Sequence, residues 1–596
     1  MRAGKKESRK DMDIDVRLRS KGGLMATDPD RYTRHLFARL VAPALLLLIM
    51  ATAGIRGQVM AVNGMVVTAA PMAAQAGLRI LEQGGNAFDA AIASAATLAV
   101  VEPLMSGLGG VGGYALIYDS KKQQIRSLDF VGAAPAAVTP DMFTAGARLW
   151  DRAHPARDSF IAPLVPGSLA GWAALRDQYG TMTWAQLLAP AIEYAEKGFA
   201  LTPGVRDGFG DGGFGAAVGR YPYGAGIFFK DGAPRPAADV LKQPDLANTF
   251  KSIAAGGPGV FYGGALAKQF ATFFHDNGGL LTTNDFADYK AHWAEPLHTT
   301  YRDYDVYSQP PGGSGMTVLQ SLNILEQFDV RALEHNSPEF VHLVAEAMKL
   351  AFIDEDAFNT GKSHAKIPLE KVLSKAYAKQ QAARIDLKRA QFYVPTKRLT
   401  TTPSAFEHTT NHTVVDRDHN VVVITQTLML PAGMAVPDTG VIFNNGMSYF
   451  SVDPKDINYV EAGQRPRFVM SPTIVTSHGQ PYFALGSAGG WTIPQTILQV
   501  VLRALDFHMD AHDAVKAPRF VLQYLGNSIP YMAGTDLALE KGFAEPARSA
   551  LTARGHRLLD PKADAFGMLN GIMIYPRTKV LSAGEDQRRE GHAAAW

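Results

Sequence analysis

Three observations predict a layered α/β sandwich. Helical and strand patterns alternate from residue 64 to the C-terminal end, no heptad or solenoid period interrupts them, and 47 % apolar against 19 % charged residues gives ample core. The chain has 596 residues, 58 basic and 56 acidic side chains and a net charge of +2, which argues against nucleic acid as the main partner. It contains no cysteine. Thiol nucleophiles, Cys-ligated zinc, Fe–S clusters and disulfides are therefore excluded together.

The elements follow in order. Residues 1–39 are basic and polar, and 40–55 are apolar without a charge. A spanning helix needs about 20 apolar residues and a signal-peptide core about 7–15. With the small residues Ala51-Thr52-Ala53, this reads as an export signal removed after about Ala53, so the product is periplasmic or extracellular. A start at Met25 gives a leader of ordinary length; the alternative is an uncleaved N-terminal anchor. No later run is long and apolar enough to cross a bilayer, and the remainder is expected to be soluble. Helices are expected at 73–81, 87–101, 168–178, 184–197, 246–254, 265–274, 315–327, 338–358 and 492–507. Strands are expected at 114–118, 125–130, 471–476, 481–486 and 569–575, with a hairpin pairing 413–416 and 421–427. The Gly-, Pro- and Tyr-rich stretch 203–236 reads as a surface excursion, and 386–408 as an exposed loop.

Several motifs fail their chemical test. Gly107-Leu108-Gly109-Gly110-Val111-Gly112 has the dinucleotide spacing, but a helix precedes it and a strand follows, the reverse of the required order. Close backbone packing is the better reading. Gly312-Gly313-Ser314-Gly315 is followed by Met316, which breaks the nucleophile-elbow pattern. Asp354-Glu355-Asp356 reads as a solvated helix surface rather than a metal site. Nothing calls for a cofactor or a metal.

The informative stretch is His408-Thr409-Thr410-Asn411-His412-Thr413-Val414-Val415-Asp416, a polar loop entering a strand. A threonine becomes a nucleophile when its own α-amino group is free to act as base. Attack by the Thr409 hydroxyl on the His408 carbonyl, an N-to-O acyl shift and hydrolysis would create that terminus.

The order and spacing of many short motifs resemble the γ-glutamyltransferases, a family of N-terminal-nucleophile hydrolases. They include Gly84-Gly85-Asn86-Ala87, Val101-Glu102-Pro103, Val165-Pro166-Gly167-Ser168, Pro310-Pro311-Gly312-Gly313-Ser314-Gly315, Met470-Ser471-Pro472-Thr473 and Gly486-Ser487-Ala488-Gly489-Gly490. The resemblance implies a four-layer αββα sandwich, self-cleaved into a large subunit (54–408) and a small catalytic subunit (409–596) that stay associated. It implies Thr409 as nucleophile, Thr427 as its supporting hydroxyl, and Gly489 and Gly490 as the oxyanion-hole pair. The implied activity cleaves γ-glutamyl or related acyl amides of small molecules such as glutathione, passing the acyl group to water or an amine.

The departures from the family pattern concern substrate. Where the family has an arginine for the donor carboxylate, this chain has Val131. The acidic residue for the α-amino group is replaced by Tyr449, the paired serines by Phe468 and Val469, an asparagine by Met429 and a histidine by Asn411. A pocket lined this way favours an apolar or aromatic acyl group, unless Arg465 or Arg467 replaces the missing cation. Two alternatives stay open: an acylase for a cephalosporin-like, oxamate-like or aromatic acyl amide, and an uncleaved family member that only binds.

Overall fold

The computed structural model describes residues 57–143, 159–210, 214–393, 409–429, 433–522, 534–560 and 566–596. The expected leader, including Ala53, and His408 lie outside the described residues. From Gln58 onward the chain forms one unit built on two large sheets.

Fourteen strands make the sheets: β1 (Met60–Ala61), β2 (Met65–Thr68), β3 (Gly112–Asp119), β4 (Gln124–Asp129), β5 (His292–Ala294), β6 (Leu297–Tyr301), β7 (Tyr304–Ser308), β8 (Thr409–Val415), β9 (Val421–Thr427), β10 (Thr473–Ser477), β11 (Gln480–Ala488), β12 (Met568–Ile574), β13 (Leu581–Gly584) and β14 (His592–Ala595). One seven-stranded sheet has the order β14-β2-β8-β9-β3-β4-β5, the other β1-β13-β12-β11-β10-β7-β6, with every neighbouring pair antiparallel. Alternate residues explain the layering. Val67, Leu116, Val415, Val423, Ile474, Ala484 and Ile572 form the core between the sheets. Val66, Ile117, Val414, Val422 and Ile424 point the other way, into a core shared with helices α1 (Pro71–Glu82), α2 (Ala87–Val101), α3 (Ser168–Tyr179) and α4 (Trp184–Lys197). Helices α5 (Gly315–Leu325), α6 (Pro338–Phe358) and α7 (Thr492–Leu505) share a third core with the second sheet. The result is the expected αββα sandwich.

Local chemistry starts these helices where the sequence says. At α2 the Asn86 side chain accepts from the N–H groups of Phe88 and Asp89, and Asp89 accepts from the Asn86 N–H, a reciprocal cap. Its fifteen residues are all buried, which its alanines permit. The glycine run before β3 serves close packing, as expected. A Cβ on Gly109 would lie 2.2 Å from the Ile442 carbonyl oxygen, and one on Gly112, whose φ is +95°, 2.0 Å from that of Phe130.

Three expectations need correction. The segment 203–236 is no mere excursion: it folds into short helices at Pro203–Asp207 and Pro222–Phe228, and Phe209, Val218 and Phe228 are buried in the core beside α2. The hairpin strand expected from 413 begins at Thr409 itself. The acidic cluster is not solvated. Asp354, Glu355 and Asp356 are all buried, because α6 is packed on every side. Each carboxylate has its own partners: Asp354 takes Gln320 and Tyr377, Glu355 takes Ser314, Thr317 and Asn359, and Asp356 takes Arg467. Ser314 is thereby committed to Glu355 at 2.6 Å.

Substitutions at two glycines form the first prediction from this packing. Gly112→Ala places a side chain against the Phe130 carbonyl in a left-handed conformation and should cost about 3–4 kcal/mol in denaturant unfolding. Gly226→Ala, in a helix with open space around the added carbon, should raise stability by about 0.5–1 kcal/mol. The second prediction concerns His412 on β8. Its Nε2 bonds the Ala91 carbonyl at 3.1 Å, and burial pulls its pKa down to about 4. Between pH 6.5 and 4 the unfolded chain binds a proton that the folded one does not, so stability falls as pH falls through this window. His412→Gln should shrink that loss by about 3 kcal/mol, read from unfolding midpoints at pH 7 and pH 4.

Candidate active site

Thr409 opens β8, paired directly with Thr427 at the end of β9, which in turn faces Gly112 at the start of β3. Both threonines are 2 % exposed. Side chains along β8 alternate between two environments. Asn411 donates to the Met568 carbonyl at 2.7 Å and Thr413 to that of Asn570 at 3.2 Å, both on β12 of the facing sheet. Thr410 and His412 turn instead towards α2. Thr409 has the parity of Asn411 and Thr413, so its side chain belongs to the inter-sheet face.

The facing strand β11 runs close to this face: a Cβ on Gly486 would lie 3.5 Å from the Asn411 Cβ and 3.1 Å from Thr425 Oγ1. Gly489 and Gly490 follow directly after the end of β11. Gly489 and Gly490 have φ of +121° and +61°. A Cβ on Gly489 would lie 2.7 Å from Thr492 Oγ1 and 2.9 Å from the Gly567 Cα, so only glycine fits there. Their carbonyls, not their N–H groups, cap α7: Thr492 Oγ1 donates to Gly489 O at 2.8 Å, and Ile493 N to Gly490 O at 2.9 Å. Backbone donors turned this way suit a developing oxyanion.

Thr427 Oγ1 accepts from the Met429 N–H at 2.8 Å. Met429 has φ +64°, a conformation that asparagine enters more readily than methionine.

Of the four residues expected to contact substrate, Tyr449 and Phe468 touch, and all four are buried in the core shared by the second sheet and its helices. Val131, Tyr449, Phe468 and Val469 belong to one buried apolar cluster that also holds Met429, Met447 and Trp491. The rings of Tyr449 and Phe468 stack with centroids 4.1 Å apart and 24° between planes. Neither neighbouring arginine replaces the lost cation. Arg465 pairs with Asp129 at 2.9 Å and donates to the Lys290 carbonyl. Arg467 pairs with Asp356 at 2.8 Å. Nearby acids hold both guanidinium groups above their ordinary pKa despite burial.

Sequence reasoning assigned no role to Glu102, Thr410 and Arg589. Thr410 Oγ1 donates to Glu102 at 2.7 Å, and Arg589 Nη1 donates to the Thr409 carbonyl at 3.5 Å. Burial pushes the Glu102 carboxyl up to about 7, against the Thr410 bond and the Arg589 charge. The signal for Glu102 was the Glu-Pro pair after a helix; for Arg589, distant in sequence, there was none.

One side-chain cluster elsewhere has metal-ligand composition. His342, Glu346 and His556 bring ligand atoms within 4.8 Å of one another. Glu346 is occupied by Lys349 at 2.5 Å and Tyr393 at 2.7 Å, and His342 Nδ1 stands 2.8 Å from His556 Nε2. Two nitrogens on one tetrahedral zinc stand about 3.3 Å apart. The cluster is a hydrogen-bonded pair of imidazoles beside a buried ion pair.

Comparison with known proteins agrees with this geometry. The profile of the family described as gamma-glutamyltranspeptidase matches residues 73–596. The chain is 35 % identical to a glutathione hydrolase proenzyme of Escherichia coli over 556 residues, covering 90 % of this chain and 93 % of that one. It is also 35 % identical to an acylase ACY 1 proenzyme of a Pseudomonas species, covering 87 % and 91 %. A crystal structure of cephalosporin acylase from Bacillus halodurans superposes with a TM-score of 0.81 at 33 % identity, covering 91 % of this chain and 97 % of that one. The hairpin that pairs Thr409 with Thr427 and these matches lead to one conclusion: the chain belongs to the gamma-glutamyltranspeptidase family of N-terminal-nucleophile amidohydrolases.

Proposed function

We propose that this chain cuts itself before Thr409 and that the new terminal threonine transfers an acyl group from an amide to water or an amine. The observation that carries the proposal is the direct pairing of Thr409, the first residue of β8, with Thr427 at the end of β9. In this mechanism Thr409 Oγ attacks the amide carbonyl, and its α-amine takes the proton and returns it to the leaving amine. The glycine N–H groups hold the tetrahedral oxyanion, and hydrolysis or aminolysis of the ester restores the enzyme. Thr427 stands beside the nucleophile as its hydroxyl neighbour. The family relationship supports this chemistry, and two of the relatives are named as proenzymes.

The first reading of the substrate is a γ-glutamyl or related acyl amide, as in the family; a second reading, favoured by the apolar residues at the positions expected to hold the glutamyl head, is an apolar or aromatic acyl group. A zwitterionic glutamyl head buried against Val131, Tyr449, Phe468 and Val469 would find no partner charge among them, and the adjacent arginines are committed to Asp129 and Asp356. Removing one partner of a desolvated charge pair costs about 2–5 kcal/mol. The relatives include a glutathione hydrolase and an acylase at equal identity, so both readings keep support. An exported, periplasmic or extracellular enzyme fits the leader sequence; among the described residues no helix is long and apolar enough to cross a membrane.

Two measurements test the proposal. Purified chain should run as two bands on a denaturing gel, with N-terminal sequencing of the smaller starting at Thr409; Thr409→Ala should run as one. A single band for the unaltered chain overturns the cleavage. For selectivity, on the second reading kcat/KM on N-phenylacetyl-p-nitroanilide should exceed that on γ-glutamyl-p-nitroanilide by roughly 30-fold or more, the ratio that about 2 kcal/mol supplies. The reverse ranking upholds the first reading.

A further inference from the structure

Two ionisable side chains flank Thr409 without a part in the acyl transfer. β2 pairs with β8 only from His412 to Val415, so the edge of β8 at Thr409 has no β2 partner. Arg589 reaches this edge from the loop ahead of β14, with Nη1 3.5 Å from the Thr409 carbonyl and 3.8 Å from Met105 Sδ. Glu102 closes the same corner from the end of α2 through Thr410 at 2.7 Å.

Arg589 is held there by a built loop. The Gly591 N–H donates to the Asp586 carbonyl at 3.2 Å, Asp586 pairs with Arg519 at 2.7 Å, and Arg588 pairs with Glu540 and Asp586. Arg519 and Asp586 are fully buried, so the neighbouring guanidinium is fixed in place.

We propose that Arg589 and Glu102 are positioning residues that set the base strength of the amino group exposed on Thr409 by cleavage, Arg589 favouring its neutral form and Glu102 its protonated one. The inference rests on the cleavage proposed above. A guanidinium is permanently charged, and a second cation beside it is disfavoured, so the amine stays a free base at lower pH. The Glu102 carboxylate acts in the opposite sense and anchors the first turn of strand through Thr410. The charged groups around this corner are Glu102 on α2 and Asp586, Arg589 and Glu590 on the loop before β14. The neighbouring residues of β8, β9 and β3 are Thr410, Asn411, Gln426, Thr427, Gly112 and Gly113, none of them charged. The raised Glu102 pKa fits this role, because its charge then changes near neutrality, where the amine must lose its own proton.

The test is the pH dependence of kcat on whichever of the two p-nitroanilides is turned over faster, with each protein first confirmed as cut before Thr409. Arg589→Gln should move the acid limb up by about 0.5–1 pH unit, Arg589→Lys should restore it, and Glu102→Gln should move it down by a similar amount. KM should change less than about twofold, since neither side chain meets the acyl pocket in this assignment. Arg589→Met and Glu102→Met should reproduce the same shifts where the amide variants fail to cut or fold. Limbs that stay put, or that move in the same direction in both series, overturn this inference and leave the proposed function standing. An unaltered chain that remains uncut overturns both.

Discussion

The site depends on the register between β8 and β9 in a sheet sealed on both faces. A slip of one residue would turn Thr409 towards α2 and bring Thr410 into the space between the sheets. The slip is blocked on each side by different chemistry. Asn411 and Thr413 are tied to β12 carbonyls, Thr410 to Glu102 and His412 to Ala91. Val414 and Val415 occupy two separate apolar cores. Placement of Thr409 is therefore a property of the whole sandwich and does not rest on a local loop.

Burial on this scale requires that polar groups inside be satisfied, and the chain does so in separate pockets. Glu355 collects Ser314, Thr317 and Asn359; Arg519 and Asp586 pair with each other; Arg465 and Arg467 each hold an acid. These commitments explain why the region around Tyr449 and Phe468 can be apolar without leaving a cation stranded nearby. The two arginines are held by these acids beside the apolar residues.

Much of this was legible in the sequence. Long Ala-rich and amphipathic helices announced themselves through periodicity and caps, as at Asn86. The β8–β9 hairpin showed through its valine run and the turn after Asp416. Short strands did not: β1, β2, β13 and β14 have two to four residues, too few for a period, and exist because the neighbouring strands supply their ladders. The acidic run at Asp354 misled because charge alone says nothing about partners; its donors sit as far away as Arg467. The same holds for Arg589, whose relation to Thr409 spans the length of the C-terminal region. The glycine, threonine and hydrophobic motifs pointed to the family, whereas the partners of the charged groups needed three dimensions.

The strand order has one more consequence. β2 and β3 lie before position 409 and flank β8 and β9, which lie at or after it; in the other sheet β1, β6 and β7 share ladders with β10 to β13. A break ahead of Thr409 would leave two polypeptides interleaved in both sheets, unable to part without melting each other. Assembly would be unimolecular once, for the newborn chain, and bimolecular ever after, so a molecule unfolded in its nicked form would have lost the connection that first guided it home.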